Sequence, residues 1–547
     1  MGRDSLASMT WRGENFGTAL KAIASSVEDG RPALLYDDRV VTWQELDRIT
    51  DAIASGLLAL GLEPGDVAGQ MLRNTPEYVM AYFGCAKAGV TPVNVNYHYK
   101  EGELGDIFTR FGLKALFVED EFAERAANAE AAELKHVITA DPLKTSWREL
   151  CRTKLAAEFT PHSDPQAMFF TATGGTTGMP KAVMWAFEDA WDAFQISHWS
   201  QGLGEPPRIS ESLAEHVALA AETSPSSDAS IAPLLLLSPL MHGAGQFAAM
   251  IHLMRGGTLA TLPATSFDPD QAIDAVRQHK ARALTFVGDA FAMPIADALE
   301  AREGGADAVS SLRAITSSGA IFSKSVKERL VAINPNMVIV DALGSSESAG
   351  TAVTITSAAG TTGGGNFAAL PGRETKIFAE DHREVLPGSD EYGIIARSGP
   401  LPLGYLGEDQ KNVETFPTID GKRWLMTGDR ARYRDDGSME FQGRDNMCIN
   451  TGGEKVFPEE VEAVLQSQSG VEDVRVVSVP DPRFGRKITA VVRGDATKEA
   501  ALDTSVREQL AGYKIPRLYV FTNTSLRLNN GKPDYKTAQR LAEEATS

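Results

Sequence analysis

Residues 171–181 read TATGGTTGMPK and concentrate three glycines, four threonines and one lysine. Successive glycines let backbone N–H groups turn inward and form a nest for an anion. The hydroxyls of Thr173, Thr176 and Thr177 add neutral donors, and the Lys181 ammonium adds a charge that can reach phosphate oxygens. The competing reading is a flexible surface turn, since such segments are common there. A Walker A loop is excluded by spacing, because Met179 and Pro180 separate the last glycine from Lys181.

Taken singly, the other ionisable candidates carry little. Lys532 alone reads as a solvated lysine, Glu347 as a surface acid, Asp429 as a turn residue and His242 as a satisfied core histidine. Their order makes them a set. After the glycine-threonine stretch come 239–245 (PLMHGAG), 317–320 (SSGA), 341–347 (DALGSSE), 426–429 (MTGD), 443–444 (GR), 452–458 (GGEKVFP) and 529–534 (NNGKPD). In this order, over nearly the whole chain from about Thr42 to Lys536, they resemble the motifs of the adenylate-forming superfamily. That superfamily includes acyl-CoA synthetases, amino-acid adenylation domains and beetle luciferases.

The resemblance implies a role for each segment. Thr173, Gly174, Gly175, Thr176, Thr177, Gly178 and Lys181 match the phosphate loop, with Thr177 among the catalytic residues. Gly319 and Ala320 match the adenine contact. Asp341, Leu343, Gly344, Ser345 and Ser346 continue the nucleotide-binding set, and Ser346 with Glu347 serves the α-phosphate and Mg²⁺. One glutamate fits, because Mg²⁺ takes one or two carboxylates plus phosphate oxygens. Asp429 and Arg444 match the ribose contacts, and an acceptor-only carboxylate suits two hydroxyls. Asn446 falls at the hinge, and Gly452, Gly453 and Glu454 match the thioester-forming segment facing coenzyme A. Lys532 matches the adenylation lysine. A mobile ammonium between an attacking carboxylate and an α-phosphate relieves their repulsion and stabilises the charge that develops. Met241, Gly243, Phe247 and Val287 are read as acyl-pocket residues, with His242 as a gate. His242 is not read as a base, because the incoming carboxylate already lacks its proton.

Three departures from the family pattern stand out: Leu343 where an aromatic commonly stacks on adenine, Asn446 where Asp or Lys is usual, and Leu526-Arg527-Leu528 for Pro-Arg-Thr. None removes a charge the chemistry needs. The implied reaction has two halves: carboxylate and ATP give acyl-AMP and pyrophosphate, then coenzyme A gives the thioester. Residues 239–247 hold no carboxylate to pair with a substrate ammonium, which argues against an amino acid. The wording of 84–99 and 443–462 is most similar to bacterial fatty-acyl-CoA synthetases, including relatives acting on bulky cyclic or steroid side-chain acids. An aryl-acid ligase is the alternative. Two rivals of another class are a nicotinamide-dependent oxidoreductase, from the GxGxxA match Gly243 to Ala248, and a nucleotide-binding protein without chemistry.

The elements that must position these residues follow from periodicity. Helices are expected at 42–60, with Thr42 as cap and Glu45 three residues on, at 77–88 and near 101–111. Strands are expected at 67–71, 91–95, 115–118, 234–237, 258–261, 283–287 and 337–340, an alternation typical of a doubly wound α/β sheet. Residues 201–230 read as a polar surface insertion or mobile loop. From Glu374 the texture turns to strands and turns, with tight turns expected at Asp436-Gly437 and Gln442-Gly443. A helix at 458–466, strands at 474–479 and 488–492 and a helix at 503–510 suit a small domain. The expected fold is α/β: a large multi-layered N-terminal domain, 1–445, and a small mobile α+β domain, 446–547.

Composition bounds the rest. The chain has 547 residues, 43% hydrophobic and 23% charged, with a formal charge of −20 that argues against a nucleic-acid or anionic-membrane surface. Cys85, Cys151 and Cys448 are scattered without metal-ligand spacing, as in a reduced protein. The N-terminus lacks the apolar run of a signal peptide and no stretch is long enough to span a bilayer. A cytoplasmic enzyme with ATP, Mg²⁺ and coenzyme A is expected; a homodimer is left open.

Overall fold

The computed structural model describes residues 11, 13–152, 159–173, 180–199, 208–223, 231–263, 265–320, 322–362, 366–370, 373–444, 447, 449–451, 454–481, 485–510, 512–528 and 531–546. The first long helix, Trp43–Ala59, starts where the sequence expects it. Thr42 Oγ1 accepts from Glu45 N–H at 3.2 Å and the Glu45 carboxylate accepts from Thr42 N–H at 3.0 Å, which satisfies two orphan donors reciprocally.

The strands divide between two large sheets instead of forming one. A seven-stranded sheet runs in the order Gly404–Tyr405, Lys181–Ala186, Met168–Thr173, Thr91–Asn94, Val67–Met71, Leu113–Val118, His136–Thr139. A ten-stranded sheet has the parallel centre Leu259–Thr261, Leu234–Leu236, Ala283–Phe286, Ala314–Ser318, Val338–Leu343. Helices that must bury all round separate them. Every residue of Pro76–Ala88 is buried, and Gly243–Met254 packs on Met168–Thr173 of one sheet and Leu234–Leu236 of the other. A βα alternation alone does not say how many sheets its strands enter.

A third, antiparallel sheet holds Glu374–Phe378, Gly393–Ser398, Thr418–Ile419, Lys422–Tyr433 and Met439–Arg444. The turn at Asp436-Gly437 forms, with Gly437 at φ +78°. The turn expected at Gln442-Gly443 does not: both residues lie inside Met439–Arg444. Gly443 is needed for a close approach instead, since a Cβ there would lie 2.5 Å from the Glu459 carboxylate.

The polar segment 201–230 also differs from expectation. Its centre is a helix, Leu213–Glu222, whose Ser212 cap accepts from Glu215 N–H at 3.1 Å. His216 on this helix is fully buried, within 3.0 Å of Ser210 Oγ and 2.7 Å of the Met254 carbonyl, among Trp11, Trp191 and Trp199. The Pro and Ser at the segment's ends mask an apolar spacing in LAEHVALAAE.

After residue 449 the chain builds a separate core. Strands Val471–Asp481, Gly485–Gly494 and Leu518–Thr522 pair, and Pro458–Gln466, Glu499–Gln509 and Tyr535–Glu544 cover them. No helix among the described residues is long and apolar enough to cross a membrane.

Candidate active site

The residues singled out in the sequence gather at the carboxyl ends of parallel strands, the usual place for ligands in α/β sheets. Thr173 ends Met168–Thr173, residues 237–242 follow Leu234–Leu236, Val287 follows Ala283–Phe286, Gly319 follows Ala314–Ser318, and Gly344 follows Val338–Leu343. Gly319 has φ +85°, and a Cβ on it would stand 3.9 Å from Val287 Cγ1.

Thr173 and Lys181 are cross-strand partners at the ends of the antiparallel pair Met168–Thr173 and Lys181–Ala186. Gly174, Gly175, Thr176, Thr177 and Gly178 lie outside the described residues. Lys181 Nζ lies 3.7 Å from Glu408 and over the Tyr405 ring, 5.5 Å from its centroid. Burial lowers its pKa, helped by Lys411 and Arg110. Tyr405 pairs with Val183 on the same strand as Lys181 and donates through its phenol to Glu347 Oε1 at 2.8 Å. Burial and the Glu347 charge raise the phenol's pKa, so it remains a donor. The sequence reading did not single out Tyr405; its setting, Gly404-Tyr405-Leu406-Gly407, was the available signal.

Glu347 stands on a loop, 344–350, closed by Thr351 N–H donating to the Leu343 carbonyl at 2.8 Å. Ser345 N–H donates to Ser348 Oγ at 2.9 Å and Glu347 N–H to Ser345 Oγ at 3.3 Å. From outside, Trp185 Nε1 donates to the Ser346 carbonyl at 2.9 Å. Arg397 Nη1 donates to the Ser348 carbonyl at 2.5 Å, and Arg373 Nη1 to that of Gly350 at 2.5 Å. Burial pulls the Arg397 guanidinium down to about 9 and Arg373 to about 10, so both keep their charge at neutral pH beneath this loop. Asp341 sits earlier on the strand, where its carboxylate meets Lys327 Nζ at 2.5 Å in a buried ion pair. Leu343 is half-buried against the antiparallel sheet's core around Ile377 and Met439.

Two asparagines, Asn74 half-buried and Asn94 buried, pin the His242 segment. Asn74 accepts from Leu240 N–H at 2.7 Å and donates to the Ser238 carbonyl at 3.0 Å. Asn94 accepts from Ala172 N–H at 2.7 Å and donates to the Met241 carbonyl, joining the phosphate-loop strand to the acyl segment. Polar residues inside the apolar runs 67–74 and 91–95 are the sequence trace of these joints. Thr171 Oγ1 adds a third by donating to Gln246 Oε1 at 3.0 Å.

Gly243 and Gly245 serve packing. A Cβ on Gly243 would lie 2.9 Å from Ser346 Oγ, and one on Gly245 would lie 2.3 Å from the Pro239 carbonyl oxygen. Packing of Gly243 against the 344–350 loop and of Gly245 against its own loop accounts for both glycines without a dinucleotide. Met241 and Phe247 are buried, Phe247 with its ring 4.6 Å from that of Phe194. A void behind the ten-stranded sheet, lined by Ile273, Val276, Leu284, Ile295 and Leu330, measures about 10 Å³, room for one water and too little for an acyl chain.

His242 precedes the helix Gly243–Met254, and its pKa falls to about 3, first through burial and then through the Lys532 ammonium and His98. The imidazole is therefore neutral at physiological pH. Lys532, from the far end of the chain, is thus near enough for its charge to act on His242. Asp429 is buried and stands opposite Arg444 in the antiparallel pair that ends the large domain's third sheet. Asn446, Gly452 and Gly453 lie outside the described residues; Glu454 begins a short strand, Glu454–Val456.

The family model described as AMP-binding enzyme matches residues 22–406, and that described as AMP-binding enzyme C-terminal domain matches residues 460–532. The chain is 36% identical over 533 residues to a medium/long-chain-fatty-acid–CoA/3-oxocholest-4-en-26-oate–CoA ligase of Mycolicibacterium smegmatis, covering 94% of each chain. It is 34% identical to a 3-oxocholest-4-en-26-oate–CoA ligase of Rhodococcus rhodochrous, covering 93% of this chain and 92% of that one. Its fold superposes on the anthranilate CoA ligase AuaEII in complex with anthranoyl-AMP with a TM-score of 0.80 at 20% identity, covering 97% and 98%.

Proposed function

The chain belongs to the AMP-binding enzyme family of ATP-dependent acid–thiol ligases, and from that premise we propose that it is an acyl-CoA synthetase for a hydrophobic carboxylic acid. The observation that carries the reading is the approach of the Lys532 segment, with Gly531 against Ala290 and Phe291 and the Lys532 charge felt at His242, to the strand ends that also present Thr173, Gly319 and Glu347.

In the first half-reaction the segment between Thr173 and Lys181 binds the triphosphate, with backbone amides, hydroxyls and the Lys181 charge. Residues 319–320 and Leu343 face the adenine, and Asp429 with Arg444 the ribose. The Lys532 ammonium holds the carboxylate against the α-phosphorus and stabilises the negative charge that forms there. His242, neutral and fixed at a helix start, closes the acyl path. Glu347 suits Mg²⁺: one oxygen accepts from Tyr405, and among the described residues no group of three metal-binding side chains competes for the ion. Bound there, the ion would offset phosphate charge.

For the second half-reaction we propose that residues 446–547 turn about Asn446 as one domain, withdrawing Lys532 and presenting Gly452, Gly453 and Glu454 to coenzyme A. A boundary at 445–446 is supported by the separate core after residue 449.

A medium- or long-chain fatty acid or a steroid side-chain acid is the substrate class we favour, supported by the ligases of Mycolicibacterium and Rhodococcus at 34–36% identity and by the absence of a carboxylate in 239–247. We place the enzyme in the cytoplasm. The test is pyrophosphate release over a panel of fatty, steroid, aryl and amino acids, with and without coenzyme A. Release with fatty or steroid acids and thioester only with coenzyme A is expected; preference for an amino acid, or no ATP turnover, would overturn the reading.

A further inference from the structure

The segment that delivers Lys532 is a small hairpin. Arg527 and Pro533 bridge its base, Leu528 N–H donates to the Lys532 carbonyl at 2.8 Å, and Arg527 Nη1 donates to the Gly531 carbonyl at 3.2 Å. Its tip rests on the large domain: a Cβ on Gly531 would lie 3.2 Å from Ala290 Cβ and from the Phe291 ring. These two residues follow Asp289, the first residue of the helix Asp289–Ala301.

Asp289 is 2% exposed. Its Oδ1 accepts from Ser323 N–H at 2.9 Å and Ser323 Oγ at 3.3 Å, while Oδ2 has no hydrogen-bond partner among the described residues. A half-satisfied buried carboxylate is costly unless a positive charge compensates it. Two cations act on it: Lys327 of the same domain, which is already paired with Asp341, and, more strongly, Arg527 of the other domain. Asp289 and Arg527 line one small cleft between the domains, with Glu462, Arg475 and Pro533 completing it. Inside its own domain Arg527 is held by Asp473, Nε to Oδ2 at 2.8 Å.

We propose that Asp289 is a positioning residue for the adenylation step: its carboxylate attracts the Arg527 guanidinium across the cleft and so favours the domain orientation in which Lys532 reaches the acid and the α-phosphate. The proposal rests on the acyl-CoA synthetase reading. Shape alone, the Gly531 tip on Ala290 and Phe291, gives contact without a preference for charge. The Asp289 carboxylate supplies it, and the guanidinium in turn opposes the rise that burial imposes on the Asp289 pKa. The attraction is also releasable. When the small domain turns away, Arg527 keeps Asp473 and the cleft side of Asp289 gains water, so neither charge is stranded. A contact that biases two states without trapping one is what an alternating domain requires.

Asp289→Asn tests this, because the amide oxygen still accepts from Ser323. In the full chain, pyrophosphate release from acid and ATP should fall about tenfold, the effect of losing a modest orientational preference, while thioester formation from supplied acyl-AMP and coenzyme A stays constant or rises. Arg527→Gln should give the same split, and the double variant should be no slower than either single one. Equal losses in both half-reactions, or additive losses, would overturn the proposal. Hydrogen exchange without substrates separates this outcome from a wrong substrate class. Asp289→Asn should speed exchange in 527–533, and Arg527→Gln at 289–292, each in the domain that was not altered. No change across the interface would overturn the latch whatever acid the enzyme activates.

Discussion

The phenol of Tyr405 reaches across from the strand beside Lys181–Ala186 and donates at 2.8 Å to one oxygen of Glu347. It links the two segments that the chemistry asks to act on one triphosphate. Tyr405→Phe removes the donor and leaves the ring that lies under Lys181. The Mg²⁺ concentration for half-maximal pyrophosphate release should rise about tenfold, the lower end of the worth of one hydrogen bond to a charged group. An unchanged metal titration would show that Glu347 holds its pose without Tyr405.

Lys532→Ala should slow adenylate formation about 10²-fold to 10³-fold, the usual loss when one preorganised charge stabiliser is removed. Conversion of supplied acyl-AMP to thioester should persist near the wild-type rate. Rapid-quench measurement of each half-reaction decides it; equal loss in both would assign Lys532 a structural part.

Asn94→Ala cuts the joint between Ala172 and Met241 and leaves a buried amide and a buried carbonyl without their partner. A loss of about 2–3 kcal/mol in folding stability is expected. The apparent affinities for ATP and for the acid should weaken together. Loss of one affinity alone would show that the two halves of the site are independent.

Stability should fall on acidification. The buried imidazoles of His216 and His252 have pKa values near 4, lowered chiefly by burial. Below about 6.5 the unfolded chain takes up protons that these folded sites refuse, so stability drops from about pH 6.5 to pH 4 by about 1.4 kcal/mol per pH unit for each histidine. His216→Gln should flatten the slope of unfolding free energy against pH over that window. A slope unaltered by the substitution would contradict the buried neutral state.

Much of the architecture could be read in advance wherever one local rule sufficed. Thr42 and Glu45 cap their helix as the pattern demands, and Pro458–Gln466 begins and ends at the expected residues. The failures are instructive in physical terms. Gly443 resembles a turn glycine in sequence, yet its lack of a Cβ is used against Glu459, a partner sixteen residues away. Asp341 lies in a motif, but its carboxylate meets Lys327 from a neighbouring helix. Tyr405, Asn94 and Arg397 act on the site through contacts between distant segments, and a single chain of letters holds no record of such distances. Motif order nominates the residues for chemistry; tertiary contacts add those that hold them in place.

Three joints between the two large sheets, at Asn74, Asn94 and Gln246, are made by neutral amides. Added electrolyte weakens attraction between charges but leaves amide contacts buried away from solvent nearly untouched. These three joints should therefore hold in dilute and concentrated salt alike, and ionic-strength dependence in the large domain should arise from its charged contacts, Arg39 with Glu77 among them.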